Sequence, residues 1–169
     1  MMTGAGWLPI ARPRALSGPG RLWLKPSARD ADIPGDTMTN DGAGMQILVV
    51  DDSRMMRNMV IRALKAVGYA EADIIEAGDG VEALELIASG NPDVVLCDWN
   101  MPRLNGIDVL KQLRAAGDDR PLVFVTSEGA PGIEEQALAA GAHSVIVKPF
   151  APTIFATTLA ELTAETRSA

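Results

Sequence analysis

Cysteine, histidine and aromatic residues are nearly missing from this chain of 169 residues, which has one cysteine, one histidine and 4% aromatics. A single cysteine excludes an internal disulfide. Cys97 lies inside an apolar run and reads as a small buried thiol in a reducing compartment, with no Cys or His cluster around it to hold a metal. With so few aromatics the core has to be built from Val, Ile, Leu, Ala and Met, which suits a parallel sheet covered on both faces. Positive charge is also short. Fifteen Lys and Arg against 22 Asp and Glu leave a net charge of −7, which argues against nucleic acid or an anionic membrane as partner of the domain as a whole and favours a protein partner. No uninterrupted apolar segment matches a signal-peptide core or a membrane span, so a cytoplasmic setting is expected.

The length and the 47% hydrophobic content suffice for one sizeable core and one domain. The first 44 residues are set apart. Pro9, Pro13, Pro19, Pro26 and Pro34 are strung among glycines with no apolar periodicity, so residues 1–44 read as a disordered extension or the product of a mis-annotated start, with Met38 or Met45 as the true one. Their basic and acidic residues nearly cancel, which leaves the acidity to residues 45–169.

From Gln46 onward strand and helix signals alternate. Ile47 to Val50 is a buried strand; Ser53 caps a helix running to about Val67 and closed by Gly68, with Met56, Val60, Ala63, Leu64 and Val67 facing inward. Ile74-Ile75 forms a short second strand, and Asp79-Gly80-Val81-Glu82 opens a helix that carries Ala83, Leu84, Leu86 and Ile87 and ends at Gly90. Val94 to Cys97 is the central strand. Asn105-Gly106 opens a third helix with Ile107, Leu110 and Leu113 inward, and Pro121 to Val125 is the fourth strand. A fourth helix is expected from Pro131 to Ala140, a fifth strand over Val145 to Val147, and a last helix from Pro152 through Leu159 and Leu162. Five βα units in series imply a parallel sheet with helices on both faces.

The polar residues that matter fall where those strands end: Asp51 and Asp52, Asp98, Thr126, and Lys148. Parallel strands bring all of these ends to one edge. Each residue alone has a plain reading as a helix cap, a loop acid, a strand-end hydroxyl or a snorkelling lysine, but the series together points to chemistry. Carboxylates brought together repel, and a divalent cation held by oxygens, Mg²⁺ above all, relieves that. A lysine opposite can pair with a carboxylate or a phosphoryl group, and a threonine hydroxyl can hydrogen-bond a phosphoryl oxygen. Asp98, on the central strand, is placed to act as a carboxylate nucleophile.

Leu48-Val49-Val50-Asp51-Asp52-Ser53, Asp98-Trp99-Asn100-Met101-Pro102, Thr126-Ser127-Glu128 and Val147-Lys148-Pro149-Phe150 resemble the motif series of response-regulator receiver domains, most closely the single-domain chemotaxis type, over about Gln46 to Glu165. The resemblance implies an α/β, flavodoxin-like (βα)5 doubly wound parallel sheet of strand order 2-1-3-4-5, with residues 45–169 as the receiver domain. It implies that Asp98 is the phosphoacceptor, that Asp52, Asp98 and the backbone carbonyl of Asn100 ligate Mg²⁺ with Asp51 acting through water, and that Lys148 contacts the phosphoryl group. Thr126 would be the switch hydroxyl, Asn100 and Glu128 would set how fast phosphate is lost, and Lys148-Pro149 would be cis. The phosphoryl group would come from a histidine kinase. His143, the only histidine, reads as a surface loop residue, and the chain has no phosphohistidine helix of its own.

One position departs from the pattern. The chemotaxis regulators carry an aromatic residue three before the lysine, where this chain has Val145, whose β-branched side chain has no comparable swing. About 19 residues follow Phe150, enough for a last helix, so output is expected through a protein target on the face of helix four, strand five and helix five. A phosphorelay intermediate or a phosphate sink is the alternative. A phosphatase working through an aspartyl phosphate is disfavoured, since hydrolases of that kind place a second Asp where this chain has Asn100, and no cap domain is present; the protein is expected not to be an enzyme beyond its own phosphorylation and dephosphorylation.

Overall fold

The computed structural model describes residues 44–70, 73–127, 129 and 132–168, with side chains as far as residue 164. Ten elements alternate along it: β1 (Ile47–Val50), α1 (Arg54–Ala66), β2 (Ile74–Ala77), α2 (Gly80–Gly90), β3 (Val94–Cys97), α3 (Gly106–Ala115), β4 (Leu122–Thr126), α4 (Ile133–Ala139), β5 (Ser144–Val147) and α5 (Thr153–Ser168). All strand pairs are parallel and the order is β2-β1-β3-β4-β5, as the sequence led us to expect.

Alternation along the strands divides the core in two, because successive side chains point to opposite faces. Ile47, Val49, Val94, Leu96, Val123, Val125 and Ile146 pack with Val60 and Leu64 of α1 and Phe155, Leu159 and Leu162 of α5. Leu48, Val50, Val95, Cys97, Leu122 and Phe124 face the other way, onto α2, α3 and α4. The inward stripe of α1 is turned slightly from the expected one: Ile61 is buried, while Met56 and Val67 are half-buried. β2 runs on through Glu76 and Ala77, since an edge strand can keep a polar side chain in water, where Glu76 meets Arg57 at 2.9 Å. α4 is described from Ile133; Pro131 and Glu128 lie outside the described residues, as do residues 1–43 of the N-terminal extension.

The sheet edge that precedes the strands is fastened by two arginines. Arg114 of α3 donates to the carbonyls of Asp118, Arg120 and Gly141, while Arg120 donates to the Pro92 carbonyl, the Asn91 side-chain oxygen and the Asp118 carboxylate. These contacts join the turns that lead into β3, β4 and β5. The opposite edge, where the strands end, is where the polar residues gather.

Candidate functional site

β1 and β3 are in register, Val50 beside Cys97, so the residues that follow them are neighbours. Asp98 N–H donates to the Val50 carbonyl at 2.8 Å and Asp51 N–H to the Ala77 carbonyl at 3.2 Å, which carries the ladder one residue past the strands and fixes both acids at the edge. Both are buried, Asp51 to 4% and Asp98 to 8% exposure. Lys148 follows β5, two strands from β3, and its N–H is held by the Thr126 carbonyl at 2.8 Å. Its long side chain crosses the end of β4, so that Nζ donates to Asp51 Oδ2 at 2.7 Å and to Asp98 Oδ1 at 3.0 Å. The peptide between Lys148 and Pro149 is cis, as expected.

The remaining oxygens of the two acids are taken by backbone. Ser53 N–H donates to Asp51 Oδ1 at 2.8 Å, and Asn100 N–H to Asp98 Oδ2 at 3.1 Å. Asp52 is exposed beside them. Among the described residues no three His, Cys, Asp or Glu side chains converge on one point; the Lys148 ammonium bridges Asp51 and Asp98, and Asp52 is exposed. Thr126 is buried at the end of β4. The edge thus brings together Asp51, Asp98, Lys148 and Thr126, with Asp52 and Asn100 at the rim.

Burial sets the electrostatics. It raises the Asp98 carboxyl above its ordinary value, with the Asp51 charge adding to it, and the hydrogen bond and charge of Lys148 only partly oppose this. For Lys148 burial works toward a lower value, but hydrogen bonds to Asp51 and Asp98 outweigh it and the net shift is upward. Burial, with Asp98 alongside, pushes the Cys97 thiol far up, so it stays protonated and inert.

Two glycines let helices approach this edge. A Cβ on Gly106 would be driven into the Asp98 carbonyl oxygen and lie 2.9 Å from the Phe124 ring, so α3 can start against the end of β3 only with glycine there. Gly80 at the start of α2 is equally confined, its missing Cβ 2.5 Å from the Leu104 carbonyl oxygen and 2.7 Å from Val109. Trp99 is buried edge-on against Phe124 at 4.8 Å between ring centres.

The model of the response regulator receiver domain matches residues 47–160 of this sequence. The chain belongs to that family. It is 44% identical over 115 residues to chemotaxis protein CheY1 of Helicobacter pylori, a match that covers 65% of this chain and 90% of that protein. It is 45% identical over 107 residues to response regulator MprA of Mycobacterium avium, covering 63% of this chain but 46% of MprA, so it spans about half the length of that relative. Among solved structures, the chemotaxis response regulator CheY4 of Vibrio cholerae superposes with a TM-score of 0.60 at 33% identity, covering 70% of this chain and 98% of that one. A receiver domain is a signalling module of two-component systems rather than an enzyme with a substrate to turn over.

In this receiver domain the face formed by β5 and α5 carries a groove of about 420 Å³ lined by Val145, Val147, Pro149, Ile154 and Thr157 among others. Val145 is half-buried and packs against the core on the α4 side, while Val147 is 49% exposed. Two arginines near the edge escaped the reading of the sequence. Arg57 of α1 donates to the Asp51 carbonyl at 2.7 Å, and Arg103 in the β3–α3 loop pairs with Asp79, read from the sequence only as a helix cap. Neither arginine stands in a motif, and their acceptors are a backbone oxygen and an acid 24 residues away. Among the described residues no helix is long and apolar enough to cross a membrane.

Proposed function

We propose that this receiver domain, spanning residues 45–169 with residues 1–44 as an extension outside it, accepts a phosphoryl group on Asp98 from a histidine kinase. It signals by phosphorylation-dependent protein binding, as a stand-alone cytoplasmic regulator of chemotaxis type. The observation that carries this reading is the Lys148 ammonium, 2.7 Å from Asp51 and 3.0 Å from a desolvated Asp98. An Asp98 carboxylate oxygen attacks phosphorus and forms an O–P bond, while the P–N bond to the donor imidazole breaks and its electron pair stays on the ring, which is then protonated. Lys148 shifts its pairing to a phosphoryl oxygen, and the Thr126 hydroxyl donates to another.

The donor set suits Mg²⁺. Asp51, Asp52 and Asp98 offer hard oxygens at one edge with a single buried ammonium against them, an excess of negative charge that a divalent cation neutralises. Asp52, Asp98 and the Asn100 carbonyl would hold the ion, with Asp51 acting through water. Bound there, Mg²⁺ supplies charge neutralisation to the transferring phosphoryl oxygens. Asn100 and Glu128 govern how long the phosphate survives, and the downstream protein binds the α4, β5 and α5 face.

The test is intact mass after incubation with Mg²⁺ and acetyl phosphate. The wild type gains one phosphoryl group; Asp98→Asn, or wild type with a chelator, gains none. A phosphorylated Asp98→Asn, or an unmodified wild type, would overturn the assignment.

A further inference from the structure

The β3–α3 loop, Asp98 to Asn105, presents Asn100 to the phosphoacceptor, and its conformation is unusual at Arg103. Leu104 N–H donates to the Pro102 carbonyl at 2.7 Å, closing a three-residue turn with Arg103 at its centre and φ at +65°. γ-Turns with positive φ at the centre are rare and strained for a residue with a Cβ, whereas glycine would sit there freely. Arginine has to offset that strain with its side chain. The side chain, 62% exposed, reaches the buried Asp79 carboxylate with its guanidinium. Asp79 is itself immobile, since its Oδ1 accepts from Val81 N–H at 2.8 Å and Glu82 N–H at 3.0 Å at the start of α2. Beside the pair, the backbone of Gly80 packs on Leu104 so closely that no side chain fits between them. Helix α2 therefore grips the loop at two adjacent residues, one by charge and one by contact, while the other end of the loop is tied by Asn100 N–H to Asp98 Oδ2 and by Gly106 N–H to the Trp99 carbonyl.

We infer that Arg103 and Asp79 form a clamp that positions the β3–α3 loop, so that the Asn100 backbone meets Asp98 and its cation in the competent geometry. Both are positioning residues, since neither touches the phosphoacceptor. The inference rests on the phosphoacceptor reading above and adds to it a specific dependence of Mg²⁺ binding on an ion pair outside the ligand set.

The test measures the Mg²⁺ Kd by calorimetry, with Mg²⁺ alone as probe, alongside the acetyl phosphate reaction rate at saturating Mg²⁺ and the unfolding midpoint. Four variants of the full chain are compared with wild type: Arg103→Gly, Asp79→Asn, the double variant and Arg103→Lys. Glycine relieves the backbone strain while removing the pair, and asparagine keeps the helix cap while removing the charge. Arg103→Gly and Asp79→Asn are each expected to weaken Mg²⁺ about tenfold, as losses in the shell behind metal ligands do. The double variant is expected to be no weaker than either, and Arg103→Lys to recover most of the affinity, all with little change in midpoint. An unchanged Kd in Arg103→Gly would overturn the clamp, as would losses that add in the double variant, because partners in one interaction do not add. If Asp79→Asn fails to fold, Arg103→Gly and Arg103→Lys decide alone. A wild type that binds no Mg²⁺ and takes no phosphoryl group overturns the phosphoacceptor reading and the clamp with it; a wild type that does both while Arg103→Gly matches it overturns the clamp only.

Discussion

Asp98 is held where a carboxylate is poorly solvated, and that has a measurable cost. Its carboxyl is raised in the folded protein, so the fold binds that proton more tightly than the unfolded chain does. The stability linked to the proton is present at low pH and lost as pH rises through the raised value, which leaves the domain destabilised by ionised Asp98 at pH 7. Asp98→Asn removes the charge and keeps the shape. Without Mg²⁺ it is expected to unfold about 2–4 °C above wild type at pH 7, with the gap closing in acid, which scanning calorimetry at two pH values will check. Lys148 has the opposite role: Lys148→Met leaves two buried carboxylates facing each other and is expected to cost about 3–5 kcal/mol in denaturant titrations. Gly106 carries a third expectation. Gly106→Ala forces its Cβ against the Asp98 carbonyl and the Phe124 ring, and about 1–3 kcal/mol of stability is lost as α3 is pushed from the end of β3.

At the scale of elements, the sequence was informative wherever a local pattern determined the outcome. Asp79 as a cap, Ser53 accepting from Met56 N–H, the ending of α1 at Gly68 and the apolar runs of β1, β3 and β4 all follow from residues within a few positions of one another. Asp51, Asp98, Thr126 and Lys148 could be placed at one edge for the same reason, since a parallel sheet puts every strand end on one side. The ion pair of Arg103 with Asp79 could not, because nothing in an arginine announces positive φ and its partner lies on another helix. Nor could the bonds of Arg114 and Arg120, whose acceptors are mostly backbone carbonyls that every residue carries alike. Asp118 gives this cluster a pH signature. Its burial is outweighed by hydrogen bonds from Arg120, so its carboxyl lies below the ordinary 3.8. The stability it supplies is present above the ordinary value and lost as pH falls through the lowered one. Asp118→Asn is therefore expected to cost at most about 0.5–1 kcal/mol at pH 7 and progressively less as the pH falls below 3.8, read from urea melts across that range.

At the scale of the whole molecule, the function proposed above requires a charge added at Asp98 to be felt at a distant face. Phosphorylation adds about −1.5 to −2 charges, and the Thr126 hydroxyl is the neutral donor best placed at the end of β4 to reorganise around them. On the proposed reading, Val145 in place of an aromatic ring leaves the readout to the Thr126 hydroxyl. Gly132, at φ +92°, stands at the start of α4, where its carbonyl accepts from Gln136 N–H at 2.9 Å. Thr126→Ala is then expected to accept phosphate nearly normally yet lose most of the gain in partner affinity on phosphorylation. Val145→Ala should change that gain by less than ~1 kcal/mol, since it removes packing and leaves the hydrogen bond. Partner affinities with and without phosphate will check both, and a reversal of the two results would remove Thr126 as the trigger.

The two edges of the sheet also differ in how they should exchange with solvent. One is bound by two guanidinium groups to carbonyls from several turns; the other carries Asp51, Asp98, Lys148 and the glycine-capped start of α4. Amide deuteration should therefore run as a gradient along the strands, with the slowest protons toward the Arg114 end and the faster ones toward the edge where the strands end. A domain built this way can open locally at the edge where its strands end while the arginine-bound edge stays closed, so that local opening and global unfolding are separate events.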